Sequence, residues 1–205
     1  GVPVRIDRRM VSNLLGFREP IHNVLHAANS RGKCESVILD ACAQVMLTVG
    51  RLAQDMILYS MPEFGYFTLP AEYCTGSSIM PQKRNPDVLE LVRAKAGAVQ
   101  GCADAVHAIL RSLPGGYNRD LQEAKGPFLD GMALTTGSLR ILERVVRKLA
   151  VNRAALRAGF APEVFAADRA LELVLDGVPF RKAYGEVKDG LASLRNADPA
   201  LAVGK

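Results

Sequence analysis

Residues 34–60 read CESVILDACAQVMLTVGRLAQDMILYS, and this stretch decides the fold class. Apolar side chains recur along it at spacings of one, three and four, as at Val37, Ala41, Val45 and Val49, which is the pattern of an amphipathic helix. A helix of roughly 27 residues spans about 40 Å. Because a small monomeric domain does not need so long a helix, the stretch predicts a bundle of long helices and favours an oligomer.

The composition also favours helices over a β-sandwich. The 205 residues are 49% hydrophobic and only 6% aromatic, and they include no tryptophan. Alanine and leucine dominate the long apolar stretches, and both are strong helix formers. We therefore predict an all-α protein. Part of a central long-helix bundle occupies residues 1–150, and a small α-helical C-terminal domain occupies residues 151–205.

A second long helix is predicted after a surface loop over residues 61–78. It begins at Pro86, has Asn85 as its N-cap and runs to about Ser112. The Gly-rich residues that follow predict a turn and then a short helical piece that ends at Gly126–Pro127. These turn-forming residues separate the second long helix from a third.

The third long helix is predicted over about Leu129–Ala150, with Asn152 as the cap of the next helix. The remaining residues predict short helices separated by turns. Four basic residues lie about one helical turn apart on the third helix, and we interpret them as a solvated face: Arg140, Arg144, Arg147 and Lys148.

Charge and apolar patterning argue against two classes of partner. The net charge of +5 is scattered, and no aromatic residues alternate with the basic ones, so no nucleic-acid partner is predicted. The first ten residues, GVPVRIDRRM, lack the apolar run of a signal peptide, and no uninterrupted apolar stretch reaches membrane-spanning length. We therefore expect no membrane partner, whereas a mild positive balance suits anionic small molecules.

The cysteines predict neither a disulfide framework nor a metal site. Cys34, Cys42, Cys74 and Cys102 form no C-x-x-C pair, and no histidine lies at zinc-ligand spacing. We expect reduced thiols in a cytoplasmic protein, with Cys34 and Cys42 packed in the core.

Residues 76–90, GSSIMPQKRNPDVLE, carry the most chemistry. A serine hydroxyl becomes a competent base only if its alkoxide is stabilised. Loop amides after Gly76, the ammonium of Lys83 and the N-terminus of the helix at Pro86 can all do this. Such a loop suits proton abstraction next to a carboxylate, although a polar loop before an ordinary helix cap has the same composition.

The histidines do not favour a serine hydrolase. His22, His26 and His107 are isolated in the sequence, so a Ser-His-Asp triad is poorly supported. His107 falls on the Ala-rich second helix, and we interpret it as a core residue.

Several motifs carry a family resemblance. GSSIMPQKRNPD resembles the signature of the fumarase/aspartase superfamily of lyases, and its details are similar to the argininosuccinate lyase branch. The stretches RLAQDMILYSMPEFGY, LPGGYNRDLQEAK and GVPFRKAYGEV resemble that branch in the same order. The resemblance implies a small-molecule substrate, elimination of arginine from argininosuccinate to give fumarate, and a homotetramer whose sites combine three subunits. It implies no metal or organic cofactor.

The resemblance also implies roles in the signature. Ser77 would be the general base, and Lys83 and Asn85 would stabilise the aci-carboxylate intermediate and shape the loop. Ser78 and Met80 would flank the same carboxylate.

Three further positions match substrate-binding residues of the family, namely Tyr117, Gln122 and Lys125. Hydroxyl, amide and ammonium donors suit a substrate with several carboxylates.

This sequence departs from the family in three places. The family's N-terminal half, which holds its general acid, has no counterpart, so we expect a part of a longer or split enzyme with an incomplete site. AANSRGKCES replaces an acidic stretch, although Arg31 aligns with the family's arginine. Arg84 replaces a second lysine, which keeps the charge but changes the geometry.

Two alternatives stay open. The altered AANSRGKCES segment is compatible with a related lyase that cleaves another N-substituted aspartate, such as an aminopolycarboxylate. The missing half and the same segment also leave room for a catalytically silent structural relative, like the lens delta-crystallins.

Overall fold

The computed structural model describes residues 4–194, and the regular secondary structure within them is almost entirely helical. Nine α-helices follow one another in this part of the chain. They are α1 (Arg8–Leu14), α2 (Val24–Asn29), α3 (Lys33–Ser60), α4 (Asp87–Leu110), α5 (Lys125–Lys148), α6 (Arg153–Ala158), α7 (Ala166–Leu175), α8 (Phe180–Asp189) and α9 (Leu191–Leu194). The all-α prediction is therefore confirmed.

The chain divides into two compact units. One runs up to Asp55 and resumes over Tyr73–Arg147, and the other comprises Met56–Glu72 and the chain from Lys148 onward. The domain boundary between residues 150 and 151 stays a prediction.

The first unit is built on α3, α4 and α5. Leu39 of α3 packs with Ala103 and Val106 of α4 and with Ala124, and all four side chains are buried. Small residues let the long helices approach closely. A Cβ at Gly131 of α5 would lie 2.5 Å from a methyl carbon of Leu39 and 3.3 Å from Cβ of Cys102. These contacts form the predicted long-helix core.

The second unit begins with an aromatic cluster. Tyr59 stacks on Tyr66 with ring centroids 5.6 Å apart, and Phe64 meets Tyr59 edge-on at 5.7 Å. The next residues form the two-residue strand β1 (Phe67–Thr68), which pairs antiparallel with β2 (Ala150–Val151). The predicted surface loop over residues 61–78 therefore contains two short elements, β1 and the 3-10 turn Ala71–Tyr73.

Asn152 caps α6, as predicted. Its Oδ1 accepts the backbone N–H of Ala155 over 3.1 Å. The basic residues of α5 lie on the exposed face, also as predicted, and Arg147 pairs with Glu143 one turn earlier at 2.8 Å.

Two predictions about helix ends are wrong. Asn85 does not cap α4, because its backbone pairs with Thr75 across the loop, and Pro86 occupies the N-cap without a side-chain bond. Gly126–Pro127 does not end a helical piece. It lies in the first turn of α5, where proline is tolerated because its missing N–H has no partner to lose.

Two side chains expected in the core are exposed. His107 faces outward on α4, and its Nε2 lies 3.3 Å from Oδ2 of Asp40 on α3. Cys34 is exposed as well, near the start of α3, whereas Cys42 is partly buried against Met132. Both errors concern which face of a helix meets its neighbours.

One helical segment of the described chain, residues 24–60, is long and apolar enough to span a membrane, because an 18-residue window within it has a mean hydropathy of 1.4. The core helix of a bundle can be equally long and apolar, and α3 places Leu39, Met46 and Ala53 in the core. The absence of a membrane partner stays a prediction.

Candidate functional site

A backbone pairing closes the serine loop, which we define as residues 76–84. The N–H of Asn85 donates to the carbonyl of Thr75 over 2.8 Å, and the N–H of Thr75 donates to the carbonyl of Asn85 over 3.1 Å. Immediately afterwards, the carbonyl of Pro86 accepts the first bonds of α4. The loop is therefore anchored at both ends to the start of a long helix.

The hydroxyl oxygen of Ser77 meets two backbone donors of its own loop. Its Oγ accepts two backbone N–H groups, from Ile79 and Met80, each over 3.2 Å, and its side chain is half-buried. Amides that point at an oxygen favour negative charge on it. The two amides therefore favour the deprotonated form of the Ser77 hydroxyl over that of a serine without such donors.

The other predicted groups of the loop point towards solvent. Ser78 and Lys83 are exposed, and Met80 is 41% exposed. The backbone N–H of Lys83 donates to the carbonyl of Met80 over 3.0 Å, which folds the loop back on itself. The loop therefore presents Ser78, Met80 and Lys83 outward from the chain, where a substrate could reach them.

Sequence reasoning missed a side-chain contact at the base of the loop. The hydroxyl of Thr75 donates to Oδ2 of Asp87, the first residue of α4. A carboxylate at this position also interacts favourably with the helix N-terminus. A threonine and an aspartate that bracket the signature are the signal that could have indicated this closure.

Electrostatics around the loop are modest. Burial raises the pKa of the Cys74 thiol, the positive charge of Arg84 partly offsets this, and Asp87 raises the pKa further. The carboxylate of Asp87 and the guanidinium of Arg84 therefore act in opposite directions on the thiol of Cys74, just before the loop.

The second predicted stretch lies after α4. Tyr117 is 71% exposed, and its ring covers the guanidinium of Arg31, with Cζ 4.5 Å from the ring centroid. The N–H of Gly116 donates to Oδ1 of Asn29 over 2.7 Å, which ties this turn to the end of α2. Arg31 and Asn29 therefore position the turn that carries Tyr117.

Gln122 and Lys125 follow in the same stretch. Gln122 ends a 3-10 turn, Lys125 begins α5, and both side chains are exposed. Within residues 4–194, no hydrogen bond or ion pair links the serine loop to Tyr117, Gln122 or Lys125. The structure brings together the members of each stretch but does not join the two stretches to each other.

No metal centre is formed by the part of the chain that the structure describes. It contains no cluster of three or more His, Cys, Asp or Glu side chains suited to a metal ion.

Comparisons with known proteins relate the chain to lyases. The protein family described as lyase matches residues 1–101. The argininosuccinate lyase of Sorangium cellulosum is 45% identical over 203 residues, which are 99% of this chain and 47% of that enzyme. Over almost its whole length, the chain is therefore similar to lyases. The lyase from Thermotoga neapolitana, also an argininosuccinate lyase, is 40% identical over 189 residues, or 92% of this chain and 48% of that one.

The chain spans about half the length of these two curated lyases. Among solved lyases, the structure of EDDS lyase in complex with formate aligns with a TM-score of 0.71 at 24% identity, and the match covers 94% of this chain and 38% of that one. At this identity the likeness shows the lyase fold alone.

Proposed function

We propose that this chain contributes the base-bearing part of a carbon–nitrogen lyase that eliminates arginine from argininosuccinate and releases fumarate. The observation that carries the proposal is the pair of amide hydrogen bonds to Oγ of Ser77. The 45% identity to an argininosuccinate lyase over 99% of the chain supports the choice of substrate.

In this mechanism, Ser77 takes the Cβ proton of the succinyl group, and the electron pair of that C–H bond moves towards the adjacent carboxylate. The ammonium of Lys83 and the amide of Asn85 stabilise the resulting aci-carboxylate. The electrons then form the C=C bond of fumarate while the C–N bond breaks. The leaving nitrogen takes the bond's electron pair and a proton from a general acid outside the two candidate stretches.

The separation of the two stretches supports an assembled site. Ser78 and Met80 would flank the carboxylate that Ser77 activates, whereas Tyr117, Gln122 and Lys125 would bind the substrate from another copy. A cytoplasmic homotetramer acting in arginine biosynthesis provides such copies, and this assembly forms part of the proposal.

The test uses a chimera, because the chain spans about half of its relatives. This chain replaces the matching 203 residues of the 45%-identical lyase, and circular dichroism and size-exclusion chromatography verify that the chimera folds. Fumarate release from argininosuccinate is followed by ultraviolet absorbance. We expect release by the chimera and a rate about 10³-fold lower in its Ser77→Ala variant.

The same assay separates the alternatives. A folded chimera that releases fumarate from ethylenediamine disuccinate but not from argininosuccinate is an aminopolycarboxylate lyase. A folded oligomer that acts on neither substrate indicates a structural role and contradicts the proposed function. An unchanged rate in Ser77→Ala contradicts the role of Ser77 alone.

A further inference from the structure

Arg31 lies in an unusual environment in the turn between α2 and α3. Its Nη1 is buried and has no hydrogen-bond partner, and it is the one such side-chain nitrogen or oxygen in residues 4–194. No carboxylate within this part of the chain forms an ion pair with Arg31. A buried N–H of a charged group without an acceptor is costly, so this guanidinium is poised for an acceptor that the chain itself does not supply.

A cleft beside Arg31 offers room for that acceptor. It has a volume of about 300 Å³, and Asn29, Pro114, Gly115, Gly116 and Asn118 line it together with Arg31 and four apolar side chains. All of the lining residues lie in the first unit of the chain. None of them carries a negative charge, so the guanidinium sets a positive potential in the cleft.

The polar groups that line the cleft are held in place. Oδ1 of Asn29 accepts the N–H of Gly116, and Nδ2 of Asn118 donates to the carbonyl of Pro114 over 2.8 Å. These bonds fix the turn, and Gly115 lies exposed at its edge. Arg31 therefore offers guanidinium N–H donors beside a hydrogen-bonded turn, and no carboxylate lines the cleft.

We propose that this cleft binds a carboxylate, with the guanidinium of Arg31 as its main partner. A carboxylate accepts two parallel N–H bonds from a guanidinium, which makes it the anion that matches the group best. The inference deepens the proposed function and rests on it for the link to substrate. The bound group is a carboxylate on the part of the substrate that leaves with nitrogen.

The experiment measures binding directly on the full 205-residue chain. Succinate is titrated into ¹⁵N-labelled protein, and two-dimensional NMR follows the amides of Gly115 and Gly116 and the Nε–H of Arg31. Succinamide, a neutral molecule of the same shape, is the control ligand. We expect saturable shifts with succinate and none with succinamide.

Matched variants test the assignment to Arg31. Arg31→Gln is expected to weaken succinate binding about tenfold or more, because the charge and the guanidinium N–H donors are lost. Arg119→Gln removes the same charge from an exposed neighbour that does not line the cleft, and it is expected to weaken binding less than about twofold. Arg31→Lys keeps the positive charge but lacks the two parallel N–H donors of the guanidinium, so it should bind succinate with an intermediate affinity. It replaces Arg31→Gln if that variant does not fold.

The outcomes are distinct. Absence of saturable shifts in the unsubstituted chain, or equal weakening by Arg31→Gln and Arg119→Gln, overturns the cleft as a carboxylate site. Intact succinate binding together with an inactive chimera overturns the proposed lyase function but keeps the site. An active chimera without succinate binding at the cleft overturns the site but keeps the proposed lyase function.

Discussion

The backbone N–H of Met80 donates to Oγ of Ser77 over 3.2 Å, and this contact distinguishes Ser77 from its neighbour Ser78. The donor belongs to the loop itself, so its position is set by the backbone of residues 77–80. The hydroxyl of Ser78 has no such bond in the described chain and is exposed. The two adjacent serines therefore differ in the donors that their hydroxyl oxygens meet.

We expect Ser77→Ala and Ser78→Ala to have different kinetic effects in the chimera. Loss of the base lowers kcat by about 10³-fold. Loss of a hydroxyl that binds a carboxylate raises KM by about tenfold and lowers kcat less. Steady-state fumarate release gives both constants. A larger loss of kcat in Ser78→Ala than in Ser77→Ala would reverse the assignment.

Thr75→Val tests the closure of the serine loop. The substitution keeps the shape of the side chain but leaves the Asp87 carboxylate without its hydroxyl donor. Because the contact is exposed, we expect a loss of about 1 kcal/mol in the free energy of unfolding, measured with urea. The amide of Asn85 should also exchange faster with solvent, since its bond to Thr75 weakens.

Thr75→Ser is the matched control, because it retains the hydroxyl. Its stability and the exchange of the Asn85 amide should stay close to those of the unsubstituted chain. If Ser and Val destabilise the chain equally, the hydroxyl contact does not hold the loop.

Substitution of two glycines of α5 by alanine should change the free energy of unfolding in opposite directions. A Cβ at Gly131 meets the fully buried Leu39 at 2.5 Å, whereas a Cβ at Gly137 meets nothing within 4 Å. Gly131→Ala should therefore lower the free energy of unfolding by about 1–2 kcal/mol through overpacking. Gly137→Ala should raise it by about 0.5–1 kcal/mol through helix propensity. Urea unfolding of both variants checks the prediction, and a stable Gly131→Ala would contradict the close packing of α3 and α5.

The cysteines should react with iodoacetamide in a defined order. Burial raises the pKa of Cys74 and of Cys102, so at mildly alkaline pH a smaller fraction of each is the reactive thiolate. Exposed Cys34 should be alkylated first, as measured by mass spectrometry against time. The rates at Cys74 and Cys102 should rise as pH increases towards their raised pKa values.

Arg84→Gln refines this prediction. The positive charge of Arg84 lowers the pKa of Cys74, so its removal should raise that pKa and slow the alkylation of Cys74. The rate at Cys102 should not change, which provides an internal control. Faster alkylation of Cys74 in this variant would mean that exposure, not charge, governs the rate.

Local patterns predicted the parts of the fold that depend on local interactions. The periodicity of residues 34–60 gave α3 within one residue at its start, and Asn152 caps α6 through its own neighbours. Asn85 failed as a cap because its backbone pairs with Thr75, ten residues earlier. The prediction that His107 and Cys34 lie in the core failed because the face that a helix buries depends on which helices pack against it.

The candidate site divides in the same way. The amides that point at Ser77 come from the next three residues, so a glycine-led serine motif was enough to indicate them. The environment of Arg31 could not be predicted, because its buried nitrogen depends on a turn more than eighty residues further along the chain. Contacts of that sequence separation leave no periodic signal.

The pairing of Thr75 with Asn85 also determines how a protease meets the serine loop. Trypsin cleaves after lysine and arginine, and Lys83 and Arg84 are both exposed at the loop's end. The bond after Arg84 enters the paired backbone of Asn85, whereas the bond after Lys83 lies outside it. Cleavage should therefore start after Lys83 and leave two fragments that stay associated, each retaining one side of the pairing.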